Sequence, residues 1–296
     1  DGMSADNSGQ SSQSLSPRCL VNGQNSNVIS VSDRSLQYGD GCFETIRIYN
    51  AQPVLAERHY QRLTDSCTFL RIPLDIVLLK LEVGKLLESN QAEGVLKIIV
   101  SRGSGGRGYT PSADSGHTRI LQFHDMPASE QDAEQGVELM VCQHRLSMSS
   151  SLAGHKHLNR LDQVLASSEL VKPYAEGLCL DQMGVVIEAC RSNVLMAKEG
   201  KLYCPSMETA GVHGVMQQYL EHKFHQGGIE ISKVSWTLSD LSQCDEIFLC
   251  NSVIGVWPVI KLVENARVYP FLLGSFTQQA IQYSHELLAA SDKPFL

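Results

Sequence analysis

No stretch of this 296-residue chain is apolar over anything near the roughly 18 to 20 residues that a bilayer-spanning helix needs, so no membrane span is expected. A basic excess is missing too. The formal charge of −8 leaves no electrostatic footprint for a nucleic-acid backbone, and nucleic acid is not expected as a partner. An anionic ligand would need a local cluster of Arg, Lys and backbone N–H groups set against that acidic average. The nine cysteines (19, 42, 67, 142, 179, 190, 204, 244, 250) are odd in number and contain no CxxC pair. Several sit in apolar runs such as Ile247–Cys250, so they read as reduced core residues of a cytoplasmic protein. Neither an HExxH motif nor paired-cysteine spacing occurs, which sets aside a metal centre, and no GxSxG elbow marks a serine hydrolase. Residues 1–17, rich in Ser, Asn, Gln and Gly, lack the basic start and apolar core of a signal peptide; they read as a flexible leader outside the fold.

What is present is an ordinary globular composition, 43% hydrophobic and 19% charged, in a chain long enough for two domains with a ligand site between them. Cys42–Tyr49 is rich in β-formers and runs into the turn Asn50-Ala51-Gln52-Pro53. Leu55, His59, Leu63, Cys67 and Leu70 then recur near helical spacing until Arg71-Ile72-Pro73 stops them. A second helix is expected over about 75–89, strands over Val95–Val100 and Ile120–His124, and helices near Asn159–Val171 and His213–Phe224. Strands cluster rather than alternate strictly with helices, which favours an α+β fold over a doubly wound sheet. The polar run 127–136 reads as the linker between a smaller N-terminal domain (18–126) and a larger C-terminal one (137–296).

Four stretches carry candidate chemistry, each beside a plain structural alternative. In Ser151-Leu152-Ala153-Gly154-His155-Lys156-His157-Leu158-Asn159-Arg160, one lysine lies between two histidines. A partly desolvated lysine in a cationic setting can lose its proton near neutral pH and act as nucleophile or base, although an exposed basic turn has the same composition. Thr209-Ala210-Gly211-Val212-His213-Gly214-Val215 leads into a helix whose end could hold a phosphate, or could be a simple loop-to-helix junction. Arg58 and Arg62, one turn apart, could bind phosphate or reach to solvent. The loop Arg102–Tyr109 is glycine-dense, but it lacks the spacing of a P-loop.

Taken in order, these segments resemble the fold-type IV pyridoxal-phosphate-dependent (class IV aminotransferase) family over almost all of residues 18–265. The resemblance is carried by Ser32-Asp33-Arg34, by Gln37-Tyr38-Gly39-Asp40-Gly41-Cys42-Phe43-Glu44-Thr45, by Ser101 through Tyr109 and by Leu152 through Leu161. It implies two domains, a smaller N-terminal α/β sandwich and a larger C-terminal domain with barrel-like β structure, with pyridoxal 5′-phosphate between them. Such proteins are usually homodimers, in which a loop of the partner helps wall each site. Lys156 matches the lysine that carries the cofactor, and Glu188 the carboxylate at the pyridine nitrogen. Arg62, the backbone of Val212 and His213, Asn193 and Ser252 match the remaining cofactor contacts. Thr45 is implied to stand beside the cofactor face as a proton relay, and Arg107 to bind a substrate carboxylate. Glu44 replaces a threonine common in bacterial relatives, and alternation from Thr45 points it away from the cofactor. The implied reaction is the family's lyase chemistry on a small molecule, 4-amino-4-deoxychorismate, giving pyruvate and 4-aminobenzoate for folate biosynthesis. A D-amino-acid or branched-chain aminotransferase on the same scaffold is the alternative.

Overall fold

The computed structural model of the chain describes residues 18–106, 108–112, 116–128 and 135–290. The leader 1–17, Arg107 and most of the linker therefore lie outside the described residues. In the N-terminal half, strands β1 (Cys19–Val21), β2 (Gln24–Asn25), β3 (Gly41–Tyr49), β4 (Gln52–Pro53), β5 (Gly94–Ser101) and β6 (Thr118–His124) form one six-stranded sheet in the order β2-β1-β6-β5-β3-β4. Helices α1 (Arg34–Tyr38), α2 (Ala56–Leu70) and α3 (Ile76–Glu88) belong to the same half. Burial alternates along β3. Cys42, Glu44, Ile46 and Ile48 are buried under α2 and α3, while Phe43, Thr45, Arg47 and Tyr49 lie on the opposite face and are only half-buried. Leu63 and Cys67 of α2 and Leu79, Val83 and Leu86 of α3 complete that core with Leu96, Ile98 and Leu121. The helical period predicted from Leu55 to Leu70 is thus met by a strand of period two, and the result is an α/β sandwich.

The second half holds β7 (Val137–Leu146), α4 (Leu161–Ser168), β8 (Glu176–Asp181), β9 (Val186–Ala189), β10 (Asn193–Lys198) and β11 (Lys201–Pro205). It continues with α5 (Val215–Gln226), β12 (Ile231–Val234), α6 (Leu238–Leu241), β13 (Glu246–Asn251), β14 (Gly255–Glu264), β15 (Arg267–Pro270) and α7 (Ser275–Ala290). Its nine strands run β12-β11-β10-β13-β14-β7-β8-β9, with β15 paired to β14, and the sheet curls until β9 returns beside β10 and β11. Side chains from β7, β8, β9, β10, β13 and β14 fill the inside of the curl, whereas α5 and α7 cover its outside through Met216, Leu220, Phe224 and Ala280. Because β7 and β8 pair in parallel, the chain must cross over between them. That crossover, residues 147–175, carries Lys156 and α4.

Candidate active site

The segment Gly154–Leu158 is held on both sides. Phe43 N–H donates to the Lys156 carbonyl at 2.9 Å and Leu158 N–H to the Gly41 carbonyl at 3.0 Å, so the crossover reaches the end of β3. On its other side Gly154 N–H donates to Gly211 O (2.9 Å) and His213 N–H to Gly154 O (3.1 Å). The second pair brings the Lys156 and Thr209–Val215 motifs together, and the first ties both to β3. The Lys156 Nζ stands 4.5 Å from the centre of the Phe43 ring. Loss of hydration, helped by repulsion from Arg62 and only partly opposed by Glu44 and Glu188, pushes its pKa down to about 8. An appreciable fraction of free amine is therefore present near neutrality, which is what a nucleophile or base requires.

Thr45 follows Phe43 on the same face of β3, and its register partner on β5 is Lys97. Lys97 Nζ lies 5.7 Å from the same Phe43 ring, so two ammonium groups flank one aromatic side chain. Sequence reading missed Lys97. The available signal was its place in the predicted strand Val95–Val100, but only the pairing of β5 with β3 sets it across from Thr45.

Arg62 is anchored more tightly than any surface arginine. Its Nε and one terminal nitrogen donate to the two oxygens of Glu44 at 2.7 and 2.6 Å, and the other terminal nitrogen donates to the His213 carbonyl at 2.8 Å. Glu44 is 1% exposed and also bonds His59 Nδ1 at 2.6 Å. Burial alone would raise the Glu44 pKa, but Arg62 and His59 outweigh it and bring it to about 2. Glu44 does point away from the Phe43–Thr45 face, and its work is to fix the guanidinium in place, leaving one hydrogen on each terminal nitrogen of Arg62 to meet an anion. Arg58 has no ion pair among the described residues and lines an open cavity of about 340 Å³ with Arg62, His155 and His213.

Glu188, on β9, is buried and accepts from Val212 N–H (3.0 Å) and Gln163 (3.4 Å). Burial raises its pKa, opposed by Val212, Arg160 and Lys156. Arg160, one helical step before α4, donates to the carbonyls of His155 and His157 and so splints the lysine segment. Asn193 donates to the Val212 carbonyl at 2.9 Å. The N–H groups of Val212 and His213 are thus both engaged within the protein. What α5 offers an anion is its first turn, because its N-cap Gly214 brings no side-chain bond and the leading helical N–H groups have no intrahelical acceptor. Gly214 is itself required: a Cβ there would sit 1.7 Å from Asn193 Oδ1. Gly214→Ala should lower stability by about 1–3 kcal/mol, measured as the shift in thermal midpoint, because the buried Asn193 would have to move and give up its bond to the Val212 carbonyl. Ser252 lies in the β13–β14 turn, where the Asn251 side chain accepts from Val253 and Ile254 N–H. β13 pairs with β10, which brings this turn to the Asn193 end of the sheet, and the Ser252 hydroxyl has no partner among the described residues.

The glycine-rich loop is gripped from the Asp33-Arg34 motif. Arg34, 4% exposed, bonds Asp40 and the carbonyls of Gly108 and Tyr109, and Arg102 shares the same Asp40. The role expected of Arg107 falls on a residue outside the described set.

A model of the amino-transferase class IV family matches residues 41–262, three quarters of the chain. The chain belongs to that family. It is 34% identical to an aminodeoxychorismate lyase of Vibrio harveyi over 88% of this chain and 96% of that one. A D-alanine aminotransferase of Listeria monocytogenes is 27% identical over 86% of this chain and 89% of its own length. Among solved structures, the 4-amino-4-deoxychorismate lyase of Pseudomonas aeruginosa superimposes with a TM-score of 0.86 at 39% identity, covering 90% of this chain and 98% of that one. The sandwich and curled sheet expected from the resemblance are therefore the fold of this class IV chain.

The residues present fit pyridoxal 5′-phosphate. An amine of depressed pKa, a buried carboxylate close enough to perturb it, a guanidinium with free hydrogens and an uncapped helix end provide a partner for each polar end of that molecule.

Proposed function

We propose that this chain is a pyridoxal 5′-phosphate-dependent carbon–oxygen lyase that converts 4-amino-4-deoxychorismate to pyruvate and 4-aminobenzoate, a step of folate biosynthesis. The observation that carries the reading is Lys156, desolvated to a pKa of about 8 and fixed between Phe43 and the Gly211–His213 turn. Preference for the lyase over the aminotransferase rests on identity to lyases of 34% and 39% along nearly the whole chain.

When bound, pyridoxal phosphate supplies an electron sink for the carbon that bears the substrate's amine. The rest is the work of the chain. Lys156 would hold the cofactor, and its amine, with a pKa pushed down to about 8, is the base that would take the proton from the carbon bearing the substrate's amine. Glu188, whose anionic form is supported against burial by Val212 N–H, Arg160 and Lys156, would face the pyridine nitrogen and favour its protonated state. Arg62, steadied by Glu44, and the first turn of α5 hold the phosphate, with Ser252 as a hydroxyl donor and Asn193 bracing the turn between them. Thr45 hands a proton to the departing ether oxygen. Lys97 on the same face and Arg107 on the glycine-rich loop suit a substrate that carries two carboxylates.

Incubation with aminodeoxychorismate and pyridoxal phosphate should yield 4-aminobenzoate. No product, together with turnover of a D-amino acid and 2-oxoglutarate, would transfer the chain to the aminotransferase reading that its D-alanine aminotransferase relative represents. Thr45→Val should reduce kcat roughly a hundredfold while leaving the visible absorbance of the lysine-bound cofactor unchanged. An unaltered kcat would return Thr45 to a packing role.

A homodimer belongs to the same proposal, with 18–126 and 137–296 as the two domains of each protomer. Leu161, Val164 and Leu165 are 75%, 58% and 49% exposed on one side of α4, while Ala166 on the other is buried. Such a stripe next to the lysine segment suits a second copy of the chain. Val164→Glu should shift the elution volume from dimer towards monomer, and an unchanged volume would move the interface elsewhere. No helix among the described residues is long and apolar enough to cross a membrane, and nine free cysteines suit the reducing cytoplasm.

A further inference from the structure

Among the described residues, one group of three metal-ligating side chains converges, and it plays no part in the site above. Cys142 comes from β7, Cys179 from β8 and Cys190 from the residue after β9, three neighbouring strands of the curled sheet. Their sulfur atoms all lie within 4.8 Å of one another, and Cys190 is 3.9 Å from each of the other two. A disulfide needs about 2.05 Å between sulfurs. A cation bonded to three sulfurs at about 2.3 Å each spreads them about 4.0 Å apart, which the two 3.9 Å separations from Cys190 match and the 4.8 Å bound on the third pair accommodates.

The donor set selects the ion. Oxygen-seeking calcium and magnesium have no ligand in it. Among the described residues no histidine or carboxylate joins the three sulfurs, which leaves zinc without the fourth ligand that closes its structural sites. Cuprous copper is soft and monovalent, and three sulfurs satisfy it. We propose that Cys142, Cys179 and Cys190 form a trigonal site for cuprous copper. Gly177 is what lets the sulfurs converge: a Cβ there would approach Cys142 Sγ to within 2.3 Å and Cys190 Sγ to 3.2 Å. Leu146, Ala166, Ile187 and Ala210 wall the cluster from water, and the Arg145 guanidinium, bonded to the Cys142 carbonyl, places positive charge at its edge. No electron is transferred on binding. Copper arrives and remains as Cu(I), and each thiolate–copper bond replaces an S–H bond whose proton leaves to solvent.

The test is an anaerobic titration of the purified holo-protein against Cu(I) held by bicinchoninate, whose colour reports copper withdrawn from it. One equivalent should transfer, and X-ray absorption at the copper edge should show three sulfur neighbours at about 2.3 Å. Cys179→Ser and Cys190→Ser should each lose this stoichiometric uptake. Cys67→Ser should keep it, because Cys42 and Cys67, 3.4 Å apart, are too close to span a two-coordinate ion, which needs about 4.6 Å. Failure of the unmodified protein to withdraw copper would overturn the proposal without recourse to a variant. So would two-sulfur coordination, or uptake undiminished in both serine variants.

Discussion

Lys156→Ala is expected to remove the visible absorbance of the loaded protein and to lower turnover by roughly ten-thousandfold or more. Both losses come from one nitrogen. The lysine holds the cofactor and also moves the proton, and no second amine can replace it, since Lys97 stands across the Phe43 ring on a different strand. Structural damage should be small, because the contacts that fix the segment are backbone bonds from Phe43, Leu158, Gly154 and His213, which alanine retains. The discriminating measurement is therefore the absorbance spectrum before and after borohydride, taken with circular dichroism to confirm the fold. Retained absorbance together with retained 4-aminobenzoate formation would refute the assignment of Lys156. Arg62→Ala, by contrast, should weaken cofactor binding while leaving the covalent link intact at saturating cofactor.

Glu44→Ala is expected to cost about 3 kcal/mol of stability, because it leaves the buried His59 and the half-buried Arg62 guanidinium without their shared carboxylate. For a chain of this size that lowers the thermal midpoint by roughly 10 °C. The same ion pair sets an acid limit. The folded pKa of Glu44, about 2, lies below its ordinary value of 4.5, so its stabilisation is fully present above the higher figure and disappears as pH falls towards the lower. Acid unfolding of the unmodified protein should include this loss, and the variant should lack it. Cofactor affinity should fall as well, since Arg62 would be free to turn from the site. A variant as stable as its parent, with unchanged affinity, would show that Glu44 merely fills space.

Much of this architecture was legible in the residues because it is local. Leu55 to Leu70 declared α2 by period, and Val95–Val100 declared β5 by composition. Helix α7 was not anticipated, although Phe276, Ala280, Tyr283 and Leu287 recur at helical spacing; its fully buried positions, Thr277, Ala280 and Ser284, are small or polar, and its apolar side chains are only half-covered. The candidate site was legible only through resemblance. Lys156 in isolation looks like a surface turn, and Glu44 seemed merely to point elsewhere until α2 packed on β3 and joined it to Arg62 and His59. Lys97 and the three clustered cysteines depend on strand pairing across long stretches of sequence, which no motif spacing records.

The backbone bonds that hold the lysine segment also dictate when the site can exist. Phe43 meets Lys156, and Gly154 meets Gly211 and His213, so the segment joins residues far apart in the chain. Closing such long loops is entropically slow, and these contacts should form late in folding, after each sheet has assembled around its own hydrophobic cluster. Either half alone would then be compact but inert. Amide exchange at Phe43 and Leu158 should report the separation of the halves, whereas amides deep in either sheet should report global unfolding.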